Sequence, residues 1–213
     1  MRKWALVFDM LFLPICCSHD KLGKLLLGAF GFDNLFYMGK TVFMEDNIMA
    51  KILILNGSPR KNGKTASLVK AFVEGAESVG NEVRELYLQG MKIGGCLACE
   101  GCQRNGGTCV QKDDMQIVSE DFLWADVVVF ASPQYWGTIT GQLKIVIDRL
   151  YAVLFSSPKV KQFVVIMTAR GNMYEMTEDF FSIFTRFLDW KNLGNVFGAG
   201  KEAEAKLLGV SIK

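Results

Sequence analysis

LNGSPRKNGKT (residues 55–65) joins the end of a short apolar run to the start of a helical pattern. Its second half, Gly63-Lys64-Thr65, matches the end of the P-loop pattern G-x-x-x-x-G-K-[ST]. The position of the first P-loop glycine holds Ser58 instead. A strand running straight into a helix aims backbone N–H groups and the helix dipole at one point, which makes an anion site. Ser58, Arg60, Asn62, Lys64 and Thr65 add side-chain donors there. A triphosphate loop also needs a Mg²⁺-binding carboxylate at the end of another buried strand. The runs DVVVFASP (126–133) and FVVIMTAR (163–170) end in Ser-Pro and Thr-Ala-Arg, without one. The loop therefore suits a phosphate monoester better than ATP. A P-loop-like small-molecule kinase stays as the reading of another class.

Working outward, strands and helices alternate from Met49 onward. KILILNG (51–57), EVRELYL (82–88), DVVVFASP (126–133), KQFVVIMT (161–168) and NVFGAG (195–200) read as strands. Between them, Leu68, Val69, Phe72, Val73 and Ala76 recur at helical spacing, with Gly80 as the stop. Helical patterns also occupy 113–125, 140–154, 176–190 and 201–208, and Asp113 and Asp114 suit the positive end of their helix. Short apolar strands alternating with helices predict an α/β fold, a five-stranded parallel sheet covered on both faces. Ligands in such sheets bind beyond the carboxyl ends of the strands, so function is expected in the loops after strands one, three and four.

Composition narrows the chemistry. The chain has 213 residues, half of them hydrophobic, and a formal net charge of +2, which argues against a nucleic-acid partner. A single histidine, His19, leaves little room for Ser-His or Cys-His catalysis or a His-rich metal site. No catalytic side chain is therefore assigned, and the chemistry is expected from a cofactor or from cysteines. Residues 1–48 read as an N-terminal extension outside the core fold. Their apolar run of about a dozen residues is short against the roughly 20 needed to span a bilayer. It also holds Asp9 and lacks a signal-cleavage pattern, so a membrane is not expected and the cytoplasm is.

CLACEGCQRNGGTC (96–109) places Cys96, Cys99, Cys102 and Cys109 at C-x2-C-x2-C-x6-C spacing. Disulfides do not suit a chain without an export signal, and zinc usually takes two separated C-x2-C arms. Three cysteines at x2 spacing can wrap one corner of a [4Fe–4S] cube, with the fourth closing it.

ILNGSPRKNGKTASLVKAF, ASPQYWGTITGQLKIVIDRLY and the cysteine-rich loop ending in KDDM together resemble the flavodoxin-like FMN-dependent NAD(P)H oxidoreductases over residues 50–213. The cysteine spacing is similar to that of the iron–sulfur flavoproteins. The resemblance implies a flavodoxin-like three-layer sandwich with FMN as cofactor and NAD(P)H as electron donor. It implies that Ser58, Arg60, Asn62 and Thr65 hold the FMN phosphate; many relatives carry Asn where this chain has Lys64. It maps Pro133, Gln134, Tyr135, Trp136 and Gly137 to the border of the isoalloxazine ring, and the segment from Thr168 to Gly171 to another side of it. Two acceptors stay open: a quinone, nitro or similar compound, or ferredoxin through a [4Fe–4S] cluster. In relatives without a cluster, the equivalent thiols line the flavin pocket. A homodimer or homotetramer is also expected from the resemblance. The residues of SPQYWG (132–137) suit a flavin independently, since Tyr135 and Trp136 offer flat apolar surface and Gly137 allows close backbone approach. Lys144, Asp148 and Arg149 are expected to form a buried or interfacial salt bridge rather than to act in catalysis.

Overall fold

The computed structural model describes residues 49–154 and 161–213. The expected extension at 1–48, with His19, lies outside the described residues. Five strands form a single all-parallel sheet: β1 Lys51–Asn56, β2 Glu82–Tyr87, β3 Val127–Pro133, β4 Gln162–Thr168 and β5 Lys191–Phe197, in the order β2-β1-β3-β4-β5. The helices are α1 Lys64–Ser78, α2 Gly101–Arg104, α3 Met115–Trp124, α4 Gly141–Arg149, α5 Tyr151–Leu154, α6 Glu175–Leu188 and α7 Glu202–Ser211. This is the flavodoxin-like arrangement, with β1 and β3 side by side at its switch point.

Strand alternation builds the layers. Ile52, Ile54, Val127, Val129, Val164 and Ile166 face α1 and α7, packing on Leu68, Val69, Phe72 and Ala205. Leu53, Leu55, Val128, Phe130, Phe163 and Val165 face α3, α4 and α6. The second layer is aromatic. Phe130 lies 5.1 Å from Phe181 and 5.3 Å from Phe184, and Phe184 lies 5.2 Å from Trp190, centroid to centroid. Much of the aromatic content is therefore core, each such ring contributing roughly 1.5–3 kcal/mol by leaving water.

α1 and α7 touch through glycines. A methyl group added at Gly209 would meet the Phe72 carbonyl oxygen and stand 2.8 Å from the Ala76 nitrogen, while one at Gly75 would meet the Lys206 carbonyl oxygen. Beside this crossing the buried Asn81 ties both ends of the domain: its Oδ1 accepts the Ala50 N–H at 3.0 Å, and its Nδ2 donates to the Ile212 carbonyl at 3.0 Å.

Two elements differ from the sequence reading. β5 begins at Lys191 rather than 195 and ends before Gly198. It is an edge strand with one neighbour, so Lys191 and Asn192 remain exposed, and a bulge between Phe163 and Val164 skips Leu193 in the pairing. A polar edge strand lacks the apolar run that marks a central one. The helical stretch 140–154 divides after Arg149, where the Val153 N–H donates to the Leu150 carbonyl at 2.9 Å in a tighter turn. The apolar face still runs through Leu143, Val146, Leu150 and Val153.

Candidate functional site

Three loops meet beyond the carboxyl ends of β1, β3 and β4 around an open cleft of about 880 Å³. The β1–α1 loop supplies Ser58, Arg60, Asn62 and Thr65 to its lining, the β3–α4 loop Pro133, Gln134 and Tyr135, and β4 ends there in Thr168. Trp136, Gly137 and Gly171 do not line it. Trp136 is fully exposed at 101 % relative accessibility, in left-handed backbone at φ 49°. Gly137 follows at φ +86°, closing the tight turn in which Tyr135 and Thr138 pair. Such consecutive positive φ values are why a glycine stands there. Gly171 faces open space.

The first loop is folded by its own polar groups. Asn56 Oδ1 accepts the Ser58 N–H at 3.0 Å, and the Ser58 hydroxyl engages both the N–H and the carbonyl of Arg60 at 3.2 Å. The Tyr87 hydroxyl donates to the Pro59 carbonyl at 3.1 Å, pinning the loop from β2. α1 then starts at Lys64, after Gly63 at the cap position, with no side-chain cap and no carboxylate in its first turn. Its N–H groups and dipole therefore face the cleft uncompensated, the condition that favours an anion. Lys64, Arg60 and Arg170 line the same cleft, and no carboxylate is among its described lining residues. The Thr65 and Thr168 hydroxyls are 2.8 Å apart and buried, joining the start of α1 to the end of β4. Gln134 holds the other rim: its N–H donates to the Thr168 carbonyl at 2.7 Å, and its Nε2 to the carbonyls of Gly137 at 2.8 Å and Met173 at 2.7 Å. Gly57 is required by close packing, since an added Cβ would lie 2.7 Å from Thr140 Oγ1 and 2.8 Å from Leu143 Cβ.

Among the lining residues, sequence reasoning left Pro59 and Gly63 unassigned and did not single out Ala169 and Arg170. The signal for Ala169 and Arg170 was present, since they lie inside the 168–171 segment. Lys64, one of the loop's expected donors although many relatives carry Asn there, also borders the cleft.

The cysteine loop lies between β2 and α3. Cys96 and Cys99 are exposed, Cys102 and Cys109 half-buried, and all four are free thiols. Left-handed backbone at Ala98, Glu100, Gly106 and Gly107 turns the chain repeatedly between them, the type of turn that aims successive N–H groups at an anionic centre. Among the described residues, no three of His, Cys, Asp and Glu are gathered to hold one metal ion. A cube makes a different demand, because each of its four irons takes its own thiolate and the sulfurs stand apart. Four free thiols on one loop, turned by left-handed backbone, fit such a group in the chemistry of the donor set.

Arg149 anchors this loop. Its side chain is only 1 % exposed and donates to Asp113 at 2.9 and 3.1 Å, to the Gly94 carbonyl at 2.8 Å and to Cys109 Sγ at 3.3 Å. Burial opposes its charge, but the Asp113 hydrogen bonds and the charges of Cys109 and Asp113 outweigh that and hold its pKa above the ordinary value. The Arg149 hydrogen bonds lower the Asp113 pKa against a smaller opposing effect of burial, helped by the Gly94 and Met115 N–H groups. The expected salt bridge on α4 thus divides in two. Lys144 and Asp148 pair at 2.6 Å on the exposed face, whereas Arg149 reaches across to Asp113.

The sheet order and this cleft define a flavodoxin-like protein with an anion-binding site at the switch point. The chain belongs to the NADPH-dependent FMN reductase family, whose model matches residues 50–204. It is 40% identical over 110 residues to an iron–sulfur flavoprotein of Methanocaldococcus jannaschii, covering 52% of this chain and 55% of that one. It is 37% identical over 99 residues to an iron–sulfur flavoprotein of Archaeoglobus fulgidus, covering 46% and 48%. The chain thus spans about half the length of the curated relatives it matches. Among solved structures, the NAD(P)H:quinone oxidoreductase from Methanothermobacter marburgensis superposes with a TM-score of 0.61 at 20% identity, over 76% of this chain and 95% of that one. At that identity the likeness is one of fold. No helix among the described residues is long and apolar enough to cross a membrane.

Proposed function

We propose that the domain binds FMN in the cleft and transfers electrons from NAD(P)H to a small acceptor such as a quinone. The carrying observation is the uncapped N-terminus of α1, opening with Arg60, Lys64 and Arg170 onto a cleft that Tyr135 borders on the opposite loop. When bound, FMN supplies the hydride and single-electron chemistry. The residues do the rest. The first-turn N–H groups of α1, with Arg60 and Lys64, take the phosphate dianion. Thr65 and Thr168 fix the distance between the phosphate end and the end of β4. Gln134 holds the 134–137 turn rigid, so that its backbone and the Tyr135 ring meet one face of a planar ligand. With the chain matching only about half the length of its curated relatives, donor and acceptor are both part of the proposal. The test is to titrate the purified protein with FMN, then follow NADPH and NADH oxidation with a quinone. Stoichiometric flavin binding that weakens at least tenfold in Arg60→Ala is expected. A protein that binds no FMN would sink the reading.

A second reading is favoured by the cysteine loop and by the names of the two relatives above. Cys96, Cys99, Cys102 and Cys109 would hold a [4Fe–4S] cluster, and ferredoxin would then be the exchange partner. Iron and acid-labile sulfide in anaerobically purified protein test it, with about four of each per chain expected. The exposed Tyr135, Trp136 and Met173 at the rim of the cleft support association of two or four copies there, which light scattering of the flavin-loaded protein would check.

A further inference from the structure

Arg149 is buried, charged and far more heavily bonded than a helix-end arginine requires. Its NH1 donates to Asp113 and to the Gly94 carbonyl, its NH2 to Asp113 and to Cys109 Sγ at 3.3 Å. Gly94 precedes the first cysteine and Asp113 follows the last, so one guanidinium fastens both stems of the loop. The other cation on the same helix, Lys144, is exposed and among the described residues pairs with Asp148, so charge alone does not explain the arrangement. Desolvating a guanidinium is costly unless its donors are used. Here one of those donors is spent on a sulfur.

We infer that Arg149 is a positioning residue that tunes the redox centre of the cysteine loop through its N–H···S bond to Cys109. The inference rests on the second reading above. Reduction adds negative charge to a cluster and its sulfurs. A hydrogen-bond donor on a ligand sulfur, carrying a positive charge shielded from water, stabilises the reduced form and raises the potential. Asp113 holds the guanidinium in place, and the Gly94 contact keeps the first stem beside the last, so the donor cannot swing to solvent when the sulfur's charge changes.

The test is a redox titration, followed by electron paramagnetic resonance, of the anaerobically purified full chain and three variants. Arg149→Gln removes the charge and is expected to give the most negative potential. Arg149→Lys keeps a charge but cannot serve Asp113 and Cys109 together, and is expected to fall between. Lys144→Met, an exposed and screened cation on the same helix, is expected to leave the potential where it is. Equal potentials in wild type and both Arg149 variants, with iron present in all, would overturn the inference alone. Wild-type protein holding FMN but no iron would overturn the second reading and the inference with it. If neither Arg149 variant folds, wild-type protein grown with ¹⁵N-arginine decides. A ¹⁵N coupling to the reduced centre is expected, and its absence would overturn the inference.

Discussion

Replacing Gly75 or Gly209 by alanine sets two effects of opposite sign against each other at the α1–α7 crossing. In a helix interior alanine is better than glycine by about 0.5–1 kcal/mol, so propensity alone predicts stabilisation. The packing predicts the reverse. The new methyl at residue 209 would stand 2.8 Å from the Ala76 nitrogen and press on the Phe72 carbonyl; that at residue 75 would stand 3.1 Å from the Val210 nitrogen and press on the Lys206 carbonyl. These are backbone atoms, which cannot rotate aside, so the helices must separate. Overpacking of this kind costs about 1–3 kcal/mol, and a rigid neighbour puts it at the upper end. Each single variant should therefore lose about 2 kcal/mol, or roughly 4–8 °C in a domain of this size. One separation relieves both contacts, so the double variant should lose no more than either single, with a coupling of about 1–3 kcal/mol. Urea unfolding at constant m-value measures all three. FMN affinity should stay within about twofold, because Gly75 lies about 16 Å along α1 from the helix N-terminus. A single variant more stable than wild type, or two losses that simply add, would refute the reasoning.

Four further outcomes are expected. Thr65→Val strands the Thr168 hydroxyl and should cost about 1–2 kcal/mol, while the double variant with Thr168→Val should recover most of it, as a double-mutant cycle in urea would record. Asp113→Asn leaves a buried guanidinium short of its counter-charge and should cost about 3 kcal/mol near neutral pH. Because the folded pKa of Asp113 is lowered, its contribution is complete above the ordinary carboxylate value near 4 and is lost as pH falls towards the folded value. The gap between wild type and variant should therefore close on acidification. Gly57→Ala forces Thr140 and Leu143 away, and should cost about 1–3 kcal/mol together with a loss of FMN affinity seen by fluorescence titration. Trp136→Ala should change the melting temperature by the equivalent of less than about 0.5 kcal/mol, since the ring touches solvent on all sides; light scattering of the same variant reads any part it has in association.

The three inner strands β1, β3 and β4 were legible because doubly covered strands must be apolar on both faces, as KILILN and VVVFASP are. The start of the edge strand β5 was not, because Lys191 and Asn192 are polar and exposed and carry no apolar signature. The cleft was legible wherever chemistry clusters in sequence: Ser58, Arg60, Asn62 and Thr65 crowd one loop, and Pro133, Gln134 and Tyr135 another. Trp136 shows the limit, since its place after a strand's carboxyl end is readable but its outward direction depends on a left-handed backbone angle. The Arg149–Asp113 pairing joins residues thirty-six positions apart. Nothing local in either segment points to the other, and only the packing of the two chain segments brings them together.

Asn81 bears on how the domain is made. Its side chain accepts from Ala50, just before the first strand, and donates to Ile212, beyond the last helix. During synthesis the first bond becomes available early, while the second waits until residue 212 has left the ribosome. Until then α1 also lacks the helix that covers its glycine face. A nascent chain holding every cleft residue is thus still open along one layer, and fragments that stop before α7 should be degraded rather than accumulate. Joining 212 back to 50 by a short linker, with new ends cut elsewhere on the surface, should keep the closure while changing the order in which it arrives.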